Sequence, residues 1–277
     1  SIGVTTSPTR ASRSSARRTT RPLMDNAFSI QAVAGVPMVQ AGDDLATIIS
    51  DAINTAGLKL EDGDVVCIAQ KIVSKAEGQL VALDTITPSQ QAKDLAVETE
   101  KDPRLVQLIL DESTGVMRKK PGVLIMRHRL GLVGAHAGID QSNIEHGDDE
   151  NALLLPRDPD ASARALKVAL DGAQQANVGI IITDSSNRPW RMGTVGTAIG
   201  CAGITVLDDH RGGTDLYGRE LKVTLINRAD AIAGAATLAM GETTERTPLV
   251  LVRGLAAERS DDSAQMINRP LDEDLFR

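Results

Sequence analysis

Three stretches of this chain carry residue types that could do chemistry. In the first, an apolar β-branched run from Val178 to Ile182 ends in Thr183-Asp184-Ser185-Ser186, with Arg188 and Arg191 following around Pro189-Trp190. Asp184 and Ser185 are hard oxygen donors suited to Mg²⁺ or Mn²⁺. The arginines offer planar, bidentate donors for phosphate or carboxylate, or they pair with acids of the body. Asp-Ser-Ser-Asn is equally good turn chemistry, so these residues alone leave turn and site both open. The second stretch, His136-Ala-Gly-Ile-Asp-Gln-Ser-Asn143, adds Asp140 and Asn143 beside a glycine that lets backbone approach a ligand. The third, Gln70-Lys-Ile-Val-Ser-Lys75, sets two lysines after a buried run, either as point charges for phosphate or as an ordinary exposed strand end.

Two common site types are absent from the sequence. No GxxxxGK[ST] occurs, so Gly193–Gly200 reads as close packing rather than a phosphate loop. His136 and His146 fit no common zinc spacing and read as bystanders.

The elements that must position these residues follow from periodicity and punctuation. Short buried strands are expected at 30–34, 65–69, 122–126, 132–135, 152–155, 178–182, 222–226 and 248–253. Helices are expected over 45–56 with Asp43 or Asp44 as cap, 88–100, 103–110, 160–175 with Asp160 as cap, and 229–240. Residues 256–277 read as charged loop. Many strands between only a few helices predict a mixed α+β fold rather than a regular βαβ array.

Composition narrows the function classes. Only two Phe, one Tyr and one Trp occur, so the core must be built from Val, Ile, Leu and Ala. Such scarcity also argues against a base-stacking platform for single-stranded nucleic acid. Net charge is −7, but residues 1–24 hold five arginines and no acid, which leaves −12 on the rest. A body that acidic is no general polyanion binder, yet suits anions bound through divalent cations. No apolar run reaches the roughly 18 residues of a membrane span. Cys67 and Cys201 sit in apolar runs without CxxC spacing and read as buried reduced thiols of a cytoplasmic protein, a disulfide between them being the alternative. Residues 1–24 read as a disordered tail or over-extended start before Met24, with a transit peptide as the alternative, and 25–277 as the catalytic region.

Seven ordered blocks carry a family resemblance. They are Gly-Val-Pro-Met-Val (35–39), Asp-Gly-Asp-Val-Val through Lys-Ile-Val-Ser-Lys-Ala-Glu-Gly (62–78), His-Ala-Gly-Ile-Asp-Gln-Ser-Asn (136–143), Leu-Leu-Leu-Pro-Arg-Asp-Pro-Asp-Ala-Ser-Ala (153–163), Thr-Asp-Ser-Ser-Asn-Arg-Pro-Trp-Arg-Met-Gly-Thr-Val-Gly (183–196), Asp-Leu-Tyr-Gly-Arg-Glu-Leu-Lys-Val-Thr (215–224) and Leu-Ala-Met-Gly-Glu (238–242). Together with the ending Asp274-Leu-Phe-Arg277 they resemble the coenzyme F420-0:γ-glutamyl ligase family. The resemblance implies a GTP-dependent enzyme that joins L-glutamate to the lactyl carboxylate of coenzyme F420-0, and then adds further γ-linked glutamates to F420-n, through an acyl phosphate. It implies a family-specific mixed fold and an intertwined homodimer; some members carry a C-terminal flavin-reductase-like domain, and this chain departs from them and is expected to be the stand-alone form.

By motif, Asp140 and Asp184 are expected to share one divalent ion, Mn²⁺ or Mg²⁺, and Ser185 and Glu242 to serve a second, with K⁺ a further candidate ion. The nucleotide is expected on Val36-Pro37-Met38-Val39, Gln70, Lys75, Asn143 and Met240-Gly241-Glu242-Thr243-Thr244-Glu245-Arg246-Thr247. Arg188 and Arg191 are expected on the acceptor's phosphate or carboxylates. Two other readings stay open: the same chemistry on another phosphorylated cofactor, or a non-catalytic nucleotide- or F420-binding dimer.

Overall fold

A computed structural model describes residues 27–146, 150–187, 189–255 and 260–275. In chain order the first elements are β1 (Ser29–Ala32), α1 (Leu45–Thr55), β2 (Val65–Ala69), α2 (Gln70–Ala76) and β3 (Leu80–Ala82). Then come α3 (Gln90–Thr99), α4 (Pro103–Asp111), β4 (Ser113–Lys120), β5 (Val123–His128), β6 (Val133–Ala135), β7 (Asn151–Leu153) and α5 (Pro159–Gln174). The last are β8 (Gly179–Asn187), β9 (Thr194–Ala202), β10 (Leu207–Asp209), β11 (Leu225–Asn227), α6 (Arg228–Met240) and β12 (Leu249–Arg253). The architecture is mixed, as expected.

A five-stranded sheet in the order β1-β12-β2-β8-β9 forms the centre. Only β2 and β8 run parallel, with Ile68 opposite Ile182 and Ala69 opposite Thr183. Strand side chains alternate between faces. Val66, Ile68, Ile180 and Ile182 therefore meet α1 and α5 through Ile49, Ile53, Leu166 and Leu170 on one face. Val65, Cys67, Ile181, Val250 and Val252 meet α6 through Ala233, Ala236 and Met240 on the other. A separate apolar core joins α3 and α4 to the β4-β5-β6 sheet through Leu95, Val106, Ile109, Leu124 and Met126. The described core contains no aromatic side chain. Cys67 and Cys201 are buried and unbridged. No helix among the described residues is long and apolar enough to cross a membrane.

Several details differ from expectation, among them the buried strand expected at 222–226, which is confined to Leu225–Asn227 with Leu225 and Ile226 exposed. Asp158, not Asp160, caps α5 by accepting from the Ala161 amide. Pro159 at the first helical position fixes the start, so the cap lies two residues earlier than expected. Asp160 is instead 5% exposed, and its Oδ1 accepts the amides of Cys201 (2.8 Å) and Ala264 (2.9 Å). Residues 113–120, where no strand was expected, form β4 paired with β5. Gln70–Ala76 is a helix, not an exposed strand end. Finally, β8 does not stop at Ile182 but continues through Asn187, so Asp184, Ser185 and Ser186 are strand residues opposite Thr197, Gly196 and Val195.

Candidate active site

Parallel strands β2 and β8 end side by side, and open sheets bind ligands beyond the carboxyl ends of such strands. Here β2 passes into α2, while β8 runs on into the hairpin with β9. The ladder slips by one residue after Ile182. Bulges of this kind re-aim side chains beside functional sites. Asp184 and Ser185 follow directly.

Strand β9 fits because Gly196 lies opposite Ser185, where a Cβ would run into the Ala233 carbonyl and the Thr237 side chain of α6. A Cβ at Gly200 would meet the Pro159 backbone in the same way. The expectation that the glycines of 193–200 serve close packing therefore holds at both positions.

Helix α6 in turn delivers Glu242. Gly241 ends it with φ of +76°, a conformation that glycine adopts without penalty. Ser185 Oγ lies 2.7 Å from both Glu242 carboxylate oxygens and donates to them. The loop after α6 folds back on itself. Thr247 Oγ1 donates to the Met240 carbonyl (2.6 Å), and the Thr243 amide donates to Glu245 (2.8 Å).

Around this junction lies a cleft of about 700 Å³. Val36–Val39, Gln70, Lys75, Asn143 and Met240–Thr247, every residue expected at a nucleotide, line it together with Asp184 and Ser185. Gln70 is itself buried, its Oε1 accepting from Ser74 Oγ at 2.9 Å. Lys71, expected with Lys75 only as a possible point charge for phosphate, also lines the cleft, as do Thr183, Ile144, Glu145 and Thr237, which carried no expectation. The signal for Lys71 was its spacing of four from Lys75, which puts both ammonium groups on one helical face. With 70–78 read as a strand end, that signal was lost.

Asp140 stands beside the cleft rather than in its lining. Its Oδ2 lies 2.6 Å from Lys71 Nζ. Its Oδ1 accepts the amide and hydroxyl of Ser142, both at 2.7 Å. Lys71 Nζ also donates to the carbonyl (3.1 Å) and Oγ (3.2 Å) of Ser142, and Lys75 Nζ to the Asn143 carbonyl (3.2 Å).

The charges are strongly coupled. Burial, the Asp140 carboxylate and the Glu242 carboxylate push the Asp184 carboxyl up to about 7, against the Ser185 amide and Lys71. Burial also disfavours charge on Asp140, but Lys71 and Ser142 outweigh it and hold that carboxyl below its usual range. Burial and then the charge of Lys71 depress the Lys75 ammonium. No three acidic, His or Cys side chains among the described residues close on one point as a preformed metal cage. His146 is engaged by the Gln141 carbonyl (3.1 Å) and the Asn151 amide (3.2 Å).

The arginines separate from this picture. Arg188 lies outside the described residues, as does the segment 1–24. Arg191 is exposed in the turn between β8 and β9, away from the cleft lining.

A family model described as F420-0:gamma-glutamyl ligase matches residues 35–254. The chain is 44% identical over 252 residues to the coenzyme F420:L-glutamate ligase of Methanothermobacter thermautotrophicus, covering 90% of this chain and 99% of that relative. It is 46% identical over 243 residues to the enzyme of that name from Methanopyrus kandleri, covering 86% and 93% respectively. For the Methanocaldococcus jannaschii counterpart the identity is 39% over 242 residues, covering 87% and 94%.

Proposed function

The chain belongs to the F420-0:γ-glutamyl ligase family, and from that premise we propose that it joins L-glutamate to the lactyl carboxylate of coenzyme F420-0 and then adds γ-linked glutamates, using GTP. One observation carries the reading. A single cleft at the ends of β2 and β8 gathers two ammonium groups, the Asp184–Ser185 pair and Glu242. Its volume, about 700 Å³, suits a nucleotide.

A carboxylate is a poor electrophile, so amide formation needs a leaving group. GTP supplies it by phosphorylating the carboxylate, and the glutamate amine then expels phosphate. Phosphoryl transfer depends mainly on positioning and charge neutralisation. Lys71 and Lys75 supply positive charge at the cleft wall. The backbone at Val36–Val39 and the 241–247 loop surround the nucleotide.

Divalent cations fit the donor set. Three carboxylates and a serine hydroxyl are hard oxygen ligands, and Asp184 already titrates as a group crowded by Asp140 and Glu242. Asp140 and Asp184 would hold one ion, Mn²⁺ or Mg²⁺, and Ser185 and Glu242 the second. When bound, the ions neutralise charge on the phosphate and on the substrate carboxylate. No residue is assigned to K⁺. Arg191, exposed on the β8–β9 turn, would meet the acceptor's anionic groups only where they extend beyond the cleft.

A homodimer is part of the same reading. Trp190 and Met192, on the β8–β9 turn, are 88% and 103% exposed, and Leu216 and Tyr217, between β10 and β11, are 99% and 95% exposed. Exposed apolar side chains of this size are what an association surface would cover.

The test incubates the protein with F420-0, L-glutamate, Mn²⁺ and either GTP or ATP. The expected product is F420-0 heavier by whole glutamyl residues, with GTP only. Nucleotide binding without any mass gain would leave a non-catalytic binding protein instead.

A further inference from the structure

Lys71 makes a cage of oxygens around its own ammonium. Nζ has three N–H donors, and three oxygens take them: Asp140 Oδ2 at 2.6 Å, the Ser142 carbonyl at 3.1 Å and Ser142 Oγ at 3.2 Å. The other Asp140 oxygen is filled by the amide and hydroxyl of Ser142. A carboxylate, a carbonyl and a hydroxyl are the ligand types a hard cation takes. Lys71 is anchored four residues before Lys75 on α2, and both line the cleft that Asp184 and Ser185 enter.

We infer that Lys71 is a built-in counter-ion for Asp140: it occupies this oxygen site in the metal-free protein, and a divalent cation gains Asp140 only by displacing it into the cleft. The inference rests on the ligase reading of the cleft, in which Asp140 binds a divalent ion. It makes Lys71 a positioning residue. Its ammonium, 2.6 Å from Oδ2, fixes the orientation of the Asp140 carboxylate, and it competes with the ion for the same oxygen. A lysine suits the task because its charge sits on a flexible stem that can leave without backbone movement. Only 27% of the Lys71 side chain and 31% of the Asp140 side chain are exposed, so the contact is shielded enough to compete.

The experiment titrates Mn²⁺ into nucleotide-free protein by calorimetry, comparing wild type with Lys71→Met, Lys71→Arg and Lys75→Met. Lys71→Met is expected to bind Mn²⁺ on the order of tenfold more tightly, the fold-change that a charge-assisted hydrogen bond to a carboxylate is worth. Lys71→Arg keeps a cation and should stay within about threefold of wild type, a contrast well inside the context-dependence of such contacts. Lys75→Met removes an equal charge that does not touch Asp140 and measures the purely long-range gain, expected to be smaller. Equal or weaker Mn²⁺ binding in Lys71→Met, or the same gain in Lys75→Met, would overturn the inference while leaving the metal reading intact. No Mn²⁺ binding by any of the four proteins would instead overturn the metal reading, and this inference with it.

Discussion

Replacing Asp184 by Asn should make the metal-free protein more stable at pH 8 while disabling it as a ligase. The folded-state carboxyl titrates at about 7 against 3.8 for the free group, because burial and two neighbouring carboxylates oppose its charge. A raised carboxyl pKa means the folded state holds a proton that the unfolded chain has released. The stability from that proton is complete below pH 3.8 and is lost as pH rises through about 7. Three units at ~1.4 kcal/mol each set a ceiling of about 4 kcal/mol, and partial exposure brings the expected cost to about 2 kcal/mol. Most of that loss falls between about pH 5 and 7. Asn preserves shape and an acceptor for the Ser185 amide but carries no charge. In chelator, Asp184→Asn should therefore exceed wild type by little at pH 5 and by roughly 4–8 °C in Tm at pH 8. Excess Mn²⁺ should raise the wild-type Tm more than that of the variant, which keeps Ser185 and Glu242 but loses the ion shared by Asp140 and Asp184, since stabilisation follows ligand binding to the native state. A gap that does not change with pH, or a variant less stable than wild type at pH 8 in chelator, would refute the reasoning.

Other positions yield narrower expectations. Gly196→Ala should cost about 1–3 kcal/mol and lower turnover, because its Cβ meets Ala233 and Thr237 and must shift the helix that carries Glu242; denaturant midpoints and steady-state rates check both. Asp160→Ala strips an acceptor from two buried amides and should cost about 2–4 kcal/mol, with kcat little changed in the fraction that stays folded. Burial pushes the Cys67 thiol up to about 12 and raises that of Cys201, so neither should react with a thiol reagent at pH 8 until the protein is unfolded. Full labelling of the native protein would contradict that burial.

Much of the scaffold was legible because it is written in short-range patterns. The run Val178–Ile182 announces a buried strand, Asp44 and Ser89 are helix caps with the side-chain bonds that role requires, and Gly57 and Gly63 adopt the positive φ that their turns need. What was not legible depends on partners distant in sequence. Asp184 to Asn187 have turn propensities, yet cross-strand pairing with Thr194–Thr197 keeps them extended. Helix α2 starts at Gln70 behind Ala69, whose methyl side chain cannot cap it, so no start signal marks it. Strand β4 alternates weakly and is defined by its ladder with β5.

The candidate site divides along the same line. Asp184, Ser185 and Glu242 could be named from blocks of sequence, and Ser185 and Glu242 prove to be hydrogen-bonded to each other. The pairing of Lys71 with Asp140, 2.6 Å apart, joins two segments that nothing local connects. Arg191 shows the converse: its chemistry suits an anion, but its turn places it in solvent, clear of the cleft.

The most direct test of acyl phosphate chemistry at this cleft follows the oxygen atoms. F420-0 labelled with oxygen-18 in its lactyl carboxylate is turned over with GTP, L-glutamate and Mn²⁺, and the released phosphate is analysed by mass spectrometry. Phosphorylation of the carboxylate predicts that one labelled oxygen leaves with the phosphate while the other remains in the new amide. Unlabelled phosphate, or label found in a guanine nucleotide, would contradict it.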